Sequence, residues 1–499
     1  MSKRDFVLAI DQGTTSTRAI LFDAEALLRA QAQAPITQIY PAPGEVEHDP
    51  EEIWQSVLAA GRAALKEAGA QSIEAIGITN QRETTLVWER ASGKPLANAI
   101  VWQDRRTAQY CDELRQEGWG GHVAEATGLI IDPYFSATKL AWLLANVPGL
   151  LERARAGEVC FGTVDSFLLF RLTGGKVHAM DASNAARTML YDIRRGEWND
   201  RLLDRLAIPR KLLPEVRDSQ GEFGVAASEH FGVNLPIRGI AGDQQAAAYG
   251  QACFAPGMLK ATYGTGCFVL ANTGEAKIAS TTRMLSTVFH QLEGRRTFAL
   301  EGSIFMAGAT VQWLRDSLGL IADAAESEDF ARRADPKSSV YVVPAFQGLG
   351  APHWDADARA AILGLTRAAS AADIVAAGLD AVAFQTRDLL DAMRQDIAQS
   401  GIPASESLRI DGGMTANGWF LQRLADILGE RVEVARHAET TALGAALLAG
   451  QASGFYGSQG ELQQAWAPSR AYEPSMGEDE REARYGGWLE AVAKVRSKF

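Results

Sequence analysis

Near the N-terminus apolar residues come in short unbroken runs instead of alternating with polar ones. "FVLAI" (6–10) is too short for a helix and reads as a strand buried on both faces. The polar turn "DQGTTS" follows, and the chain returns through "TRAILFD" (17–23), so the opening predicts a hairpin. A third extended run is predicted near "LLRAQAQAPIT". The period then changes. Ile53, Val57, Leu58 and Leu65 recur at helical spacing within "DPEEIWQSVLAAGRAALKEAG". Asp49 suits the cap, Pro50 the first helical position, Glu51 and Glu52 the positive helix end, and Gly69 the stop. "IEAIGI" (73–78) is again a buried strand. Strand, strand, strand, helix, strand is the predicted order.

A similar plan returns later. "PIRGIAGDQQAAAYGQ" (236–251) reads as an apolar strand, a polar cluster and a small-residue helix. "GMLKATYGTGCFVLAN" (257–272) is a second hairpin around a Gly/Thr turn. In "EGSIFMAGATVQWLRD", Ile304, Phe305, Val311 and Leu314 predict the buried face of a helix. The stretch 320–338 predicts a surface helix and loop. "LRIDGGMTANGWFLQRLADIL" reads as strand, turn and helix. In "TALGAALLAG", Gly444, Ala445 and Ala446 permit close backbone approach, as in a helix at a domain junction. Two related α/β domains are expected, 1–252 and 253–499, with a cleft between them.

Composition narrows the class. A chain of 499 residues exceeds one ordinary core, and 47% hydrophobic with 22% charged residues is usual for a globular protein. Net charge of −12 argues against a general nucleic-acid surface. Cys111, Cys160, Cys253 and Cys267 are scattered, with no paired spacing for zinc or a disulfide framework. The apolar run after "MSKRD" stops at Asp11, too short for a secretory leader, and no segment reaches the roughly 18 apolar residues of a membrane span. A cytoplasmic protein that does not insert in membranes is expected.

The polar turns carry the candidate chemistry. "DQGTTSTR" (11–18) lacks the lysine of a P-loop and the spacing of a dinucleotide turn. It does offer Gly13, backbone N–H groups and the hydroxyls of Thr14, Thr15 and Ser16, which can cradle phosphate oxygens. Arg18 adds a fixed charge, and Asp11 stands at a strand end where hydrated magnesium could be held. Taken alone, an ordinary Thr-rich hairpin turn explains the segment equally well. "YGTGCF" (263–268) sets Thr265 between glycines, and "DGGMTAN" (411–417) brings Asn417 to a helix start. Arg82 and Glu83 in "NQRETT" follow a buried strand. Neighbouring strand residues point to opposite faces, so convergence of this pair on one ligand requires the backbone to leave strand geometry.

These motifs, with "WQDRR", "GIAGDQQAA", "PAFQGLGAPHWD", "GLTR" and "ALGAAL", resemble the FGGY family of carbohydrate kinases in the actin-like ATPase superfamily over essentially the whole chain. The likeness is closest to the members that phosphorylate glycerol. The resemblance implies two actin/ribonuclease-H-like domains, each a mixed five-stranded sheet with flanking helices, gripping ATP and substrate in an interdomain cleft. It implies magnesium-dependent transfer from ATP to glycerol, giving sn-glycerol 3-phosphate and ADP, with Asp243 as general base and Gln244 beside it. Local sequence alone reads Asp243 as a helix cap. The nucleotide contacts that carry over are Thr14, Thr15, Ser16, Arg18, Thr265, Gly308, Gln312, Gly413 and Asn417, with magnesium near Asp11 and Asp243. Glycerol would meet Arg82, Glu83, Tyr134, Asp243 and Gln244, with Trp102 and Phe268 as the apolar wall. For Trp102 and Phe268, plain core packing is an equal reading of the residues by themselves. The first domain would carry the glycerol side and the first phosphate turn, the second the adenine and ribose side. Homodimers or homotetramers are common in the family.

Two other readings compete. One is a sister kinase for a larger polyol or a ketose, against which the Arg82–Glu83 pair with Trp102 stands. The other is a non-catalytic actin-like scaffold, which predicts loss of Asp243 or the Thr turns, and all are present. The chain departs from the family in two places. Ala145 stands where a polar residue is common, on an expected helix surface. "FGVNLPIRG" lacks the Gly-rich basic loop through which some members bind fructose 1,6-bisphosphate, so that effector is expected to inhibit weakly or not at all. His230, just before, reads as an ordinary surface histidine.

Overall fold

The structure, a computed structural model, describes residues 5–68, 72–355 and 357–497; Gly69, the expected helix stop, lies outside them. The chain parts into two compact units that are not continuous halves. Met1–Ala252 is joined by Ser286–Ala299 and Glu439–Ala465, and the remainder forms the second unit.

In the first unit the opening runs form β1 (Phe6–Gln12), β2 (Ser16–Phe22) and β3 (Leu28–Pro35), all antiparallel neighbours. Helix α1 (Pro50–Ala68) carries the chain to β4 (Ile73–Asn80), which pairs parallel with β1. The later strands β5 (Gln220–Ala226) and β6 (Leu235–Gly242) complete a sheet ordered β5-β6-β4-β1-β2-β3. The mixed five-stranded plan is therefore present, with β5 added antiparallel at one edge. Val7, Leu8, Ala9 and Ile10 are fully buried, as befits a central strand covered on both faces.

Helix α2 (Asp243–Gly250) follows β6 directly. The helix Thr440–Ala452 packs on both α2 and the sheet within this unit. Small residues are required for that contact. A Cβ at Gly444 would stand 1.8 Å from the Ala246 carbonyl oxygen, and one at Gly77 would stand 2.1 Å from that of Ala445.

The second unit repeats the order. Strands β7 (Leu259–Tyr263) and β8 (Cys267–Gly274) form its hairpin, and the strand Arg295–Ile304, which belongs to this unit from Leu300 on, is next to β8 in the sheet order. On the other side β9 (Ser407–Asp411) and β10 (Arg431–Ala435) pair parallel, and β11 (Pro468–Tyr472) closes the edge antiparallel. One expected helix face is corrected here. Ile304 ends a strand and Phe305 is exposed, while the helix α3 (Gly308–Asp316) begins only afterwards and buries Val311 and Leu314. The surface helix expected within 320–338 is Glu326–Arg333.

Candidate functional site

The strand β4 ends at Asn80, and the backbone then turns sharply. Glu83 sits at φ +59°, in the left-handed region that non-glycine residues rarely occupy. The Thr84 N–H donates to the Arg82 carbonyl at 2.6 Å across this turn. Arg82 and Glu83 thus leave strand geometry, and both are buried.

Their side chains build a chain of charges. Arg82 Nε lies 3.0 Å from Asp243 Oδ1 and 3.9 Å from Glu83 Oε1, and one terminal nitrogen donates to Gln245 Oε1 at 3.2 Å. Glu83 Oε1 accepts from Arg187 Nε at 2.6 Å. Asp243 opens α2, where its Oδ1 also accepts from the Gln244 N–H at 2.6 Å, and its side chain remains one-third exposed. Its position in the first turn fits the positive helix end. Gly242 makes room for the Arg82 stem, since a Cβ there would meet Arg82 Cδ at 2.7 Å. Gln244, next along, is buried.

The phosphate-turn candidate is tied to the same loop. Gly13 N–H donates to the Ser16 carbonyl at 2.9 Å, closing the β1–β2 turn and leaving Thr15 exposed. Trp102 Nε1 donates to Thr14 Oγ1 at 2.9 Å, and its ring meets Tyr134 edge-on with centroids 5.7 Å apart. Gln81 donates to Gln12 Oε1 at 3.0 Å and accepts from the Thr84 hydroxyl at 2.9 Å. Trp102 is therefore a half-buried neighbour of the turn, and Tyr134, also half-buried, is a neighbour of Trp102. Lys139, fully buried, donates to the carbonyls of Tyr134 at 2.9 Å and Val101 at 3.4 Å, and burial pulls its ammonium down to about 8.

Asp11 faces Arg18 across the β1–β2 register, and Arg18 bonds Glu439 at 2.8 Å. Burial raises the Asp11 carboxyl to about 7; Arg18 opposes the rise, while Asp243 and Glu439 add to it. Arg18 thus stands beside Glu439 and opposite Asp11, while Asp243, itself paired with Arg82, adds negative charge near Asp11. Among the described residues no group of three or more His, Cys, Asp or Glu side chains is arranged to hold a metal ion.

In the second unit Thr265 is exposed at the tip of the β7–β8 turn. Its carbonyl accepts from the N–H groups of Ala307 and Ala309 at 3.1 and 3.0 Å, and Gly308 N–H donates to the Gly264 carbonyl at 3.0 Å. The turn is thus sewn to the start of α3, on which Gln312 is exposed. Phe268 is half-buried on β8. Gly413, exposed, begins the short turn after β9, and Asn417 caps helix α4 (Gly418–Leu428) by accepting from Phe420 N–H at 2.8 Å. The Asn417 amide also donates to Ser327 Oγ at 3.1 Å.

Arg187, Gln245, Lys139 and Glu439 were not singled out from the sequence. Arg187, Gln245 and Glu439 lie far along the chain from their partners, Lys139 bonds both nearby Tyr134 and distant Val101, and no local pattern marks any of them. His230 also differs from expectation: it is buried, edge-on to Trp54 with centroids 5.0 Å apart, and burial lowers its imidazole pKa. Ala145 is exposed at the end of the helix Ser136–Asn146, as expected.

Residues 6–250 match the N-terminal domain of the FGGY family of carbohydrate kinases, and residues 259–453 match its C-terminal domain. The chain belongs to this family of kinases. A glycerol kinase from Methylobacterium nodulans is 56% identical over 488 residues, covering 97% of both chains. One from Ectopseudomonas mendocina is 56% identical over 500 residues and covers both chains fully. Among solved structures, Plasmodium falciparum glycerol kinase with ADP matches with a TM-score of 0.93 and 36% identity over 100% of this chain and 99% of that one. A xylulose kinase from Rhodospirillum rubrum shares the fold at 22% identity and a TM-score of 0.86, covering 98% and 99%. No helix among the described residues is long and apolar enough to cross a membrane.

Proposed function

We propose that this chain transfers the γ-phosphoryl group of ATP to a terminal hydroxyl of glycerol, forming sn-glycerol 3-phosphate and ADP. The observation that carries the reading is the left-handed turn at Glu83, which buries the adjacent Arg82 with its Nε 3.0 Å from Asp243. A small triol offers donors and acceptors on one side and C–H groups on the other. Arg82 and Glu83 supply the polar contacts, with Tyr134 and Gln244, while Trp102 and Phe268 supply the apolar wall.

Asp243 accepts the proton leaving the attacking hydroxyl, so that the new O–P bond forms as the bond to ADP breaks, in line. Thr14, Thr15, Ser16 and Arg18 orient the phosphates in the first unit. Thr265, Gly308, Gln312, Gly413 and Asn417 bind the nucleotide from the second. Magnesium fits the chemistry of Asp11, a carboxyl raised to about 7 beside Asp243 and Glu439. These hard oxygen donors suit an ion that keeps water and arrives on phosphates. When bound with the nucleotide it neutralises phosphate charge, and Asp11 and Asp243 would hold its water shell. A cytoplasmic homodimer or homotetramer in glycerol catabolism completes the proposal.

Coupled ADP release with glycerol, dihydroxyacetone, erythritol and xylulose tests it, with the glycerol product identified by ³¹P NMR and a stereospecific enzyme assay. Glycerol should give the highest kcat/KM and a single sn-3 ester. A higher kcat/KM for xylulose or erythritol would transfer the reading to another acceptor.

A further inference from the structure

Arg187 is a fully buried guanidinium that the proposed chemistry leaves unused. It sits just past the one-turn helix Ala182–Ala185, and its N–H donates to the Asn184 carbonyl at 3.0 Å. Its Nε donates to Glu83 Oε1 at 2.6 Å. Its guanidinium carbon lies 5.6 Å from the Tyr134 ring centroid and 5.3 Å from that of Phe135. Two groups expected to meet the polyol, Glu83 and Tyr134, therefore converge on one cation.

The third follows from charge. Arg82 stands between two carboxylates, 3.0 Å from Asp243 and 3.9 Å from Glu83. A buried guanidinium is drawn to whichever carboxylate is less compensated. With Arg187 on Glu83, that carboxylate is satisfied and Arg82 turns to Asp243. Without Arg187, Glu83 is a buried anion with Arg82 3.9 Å away and the buried Lys139 near enough to feel its charge. Arg82 would then be pulled from Asp243, and the strained turn at Glu83 would lose its anchor.

We propose that Arg187 is the positioning residue of the polyol site: it holds the Glu83 carboxylate and the Tyr134 ring, and thereby leaves Arg82 on Asp243. The inference rests on the assignment of Arg82, Glu83 and Tyr134 to the acceptor. It predicts that Arg187 governs the polyol and not the nucleotide.

The test is steady-state kinetics of Arg187→Lys, and of Arg187→Met in a Glu83→Gln background, on whichever polyol the unsubstituted protein turns over best. Lack of glycerol activity in that protein counts against the proposed substrate alone, and the Arg187 comparison still reads. Arg187→Lys keeps the charge but loses the planar donor. It should raise the polyol KM about 10- to 100-fold, change kcat less, and leave the ATP KM within about twofold. The double variant removes both members of the Arg187–Glu83 pair together, so neither is left as a buried charge without the other, and it covers the case in which the lysine variant fails to fold. Its polyol KM should lie within about threefold of Glu83→Gln alone, because Arg187 acts through Glu83. An unchanged polyol KM in Arg187→Lys, an equal rise in both KM values, or a large further loss in the double variant would overturn the proposal.

Discussion

The β1–β2 and β7–β8 turns occupy matching places in a six-stranded and a seven-stranded sheet that share the order of six strands, yet they are built from different chemistry. The first is electrostatic. Asp11, Arg18 and Glu439 cluster at its base, and Thr14 is held by an indole from outside the hairpin. The second is steric, a run of glycines whose backbone is bonded to the start of α3. A Cβ at Gly308 would stand 2.6 Å from the Gly264 carbonyl oxygen, and one at Gly266 would stand 2.7 Å from that of Ile304. At Gly13 in the first turn the nearest atom, the Ser16 oxygen, is 3.3 Å away. A repeated scaffold has thus been put to two uses: charge placement in one unit and close backbone approach in the other.

The largest expected effect is on the charged side. Asp243→Asn should lower kcat by roughly 10²- to 10⁴-fold while glycerol binding, read by calorimetry, changes little. Near-normal turnover would remove Asp243 as the base. Next is the steric side. Gly308→Ala should raise the ATP KM about 10- to 100-fold and leave the polyol KM nearly unchanged, because the added methyl displaces a backbone carbonyl and with it the turn. Gly13→Ala should change the ATP KM less than about tenfold, since its contact needs only a small shift. Equal effects at the two glycines would erase the distinction.

A smaller effect separates function from stability within the first turn. The Asp11 carboxyl is raised from 3.8 to about 7, so the folded state holds a proton that the unfolded chain has released. The stability this confers is complete below pH ~4 and is lost as pH rises through about 7. Asp11→Asn should therefore melt a few degrees higher than the unsubstituted protein at pH 8, while kcat/KM for magnesium-ATP falls. Asp165 is the control. It is buried outside the candidate site, bonded to the Thr163 hydroxyl, and raised to about 7 by burial and by Asp181. Its sign is the same, so Asp165→Asn should flatten the fall in melting temperature between pH 5 and pH 8 without altering kcat. Lost activity there would show that a carboxylate outside the site also matters to it.

The hairpins and the parallel strands were legible because a strand buried on both faces must be an unbroken apolar run, as "FVLAI" is. A departure from strand geometry at Arg82 and Glu83 was legible too, on the condition that both meet one ligand, because adjacent strand side chains diverge; its left-handed form at Glu83 was not. The partners of that turn were not. Arg187 lies 104 residues from Glu83, and Gln245 lies 163 from Arg82, so only the tertiary fold brings them together. His230 looked exposed because its cover, Trp54, comes from α1. In 301–316 no Pro or Asn marks the change from strand to helix, so Ile304 and Phe305 were drawn into the helical pattern. The small residues of Thr440–Ala452 signalled close packing, but a composition of Gly and Ala cannot say against which unit.

The central claim is that the first unit reads the acceptor through Arg82 and Glu83. The most direct measurement is the ratio of kcat/KM for glycerol to that for xylulose, in the unsubstituted protein and in Glu83→Gln. A site built around buried hydroxyl contacts should favour glycerol by about 10²-fold or more, and the loss of one charged acceptor should shrink that ratio to below about tenfold. An unchanged ratio in Glu83→Gln, with both substrates slowed equally, would contradict the claim.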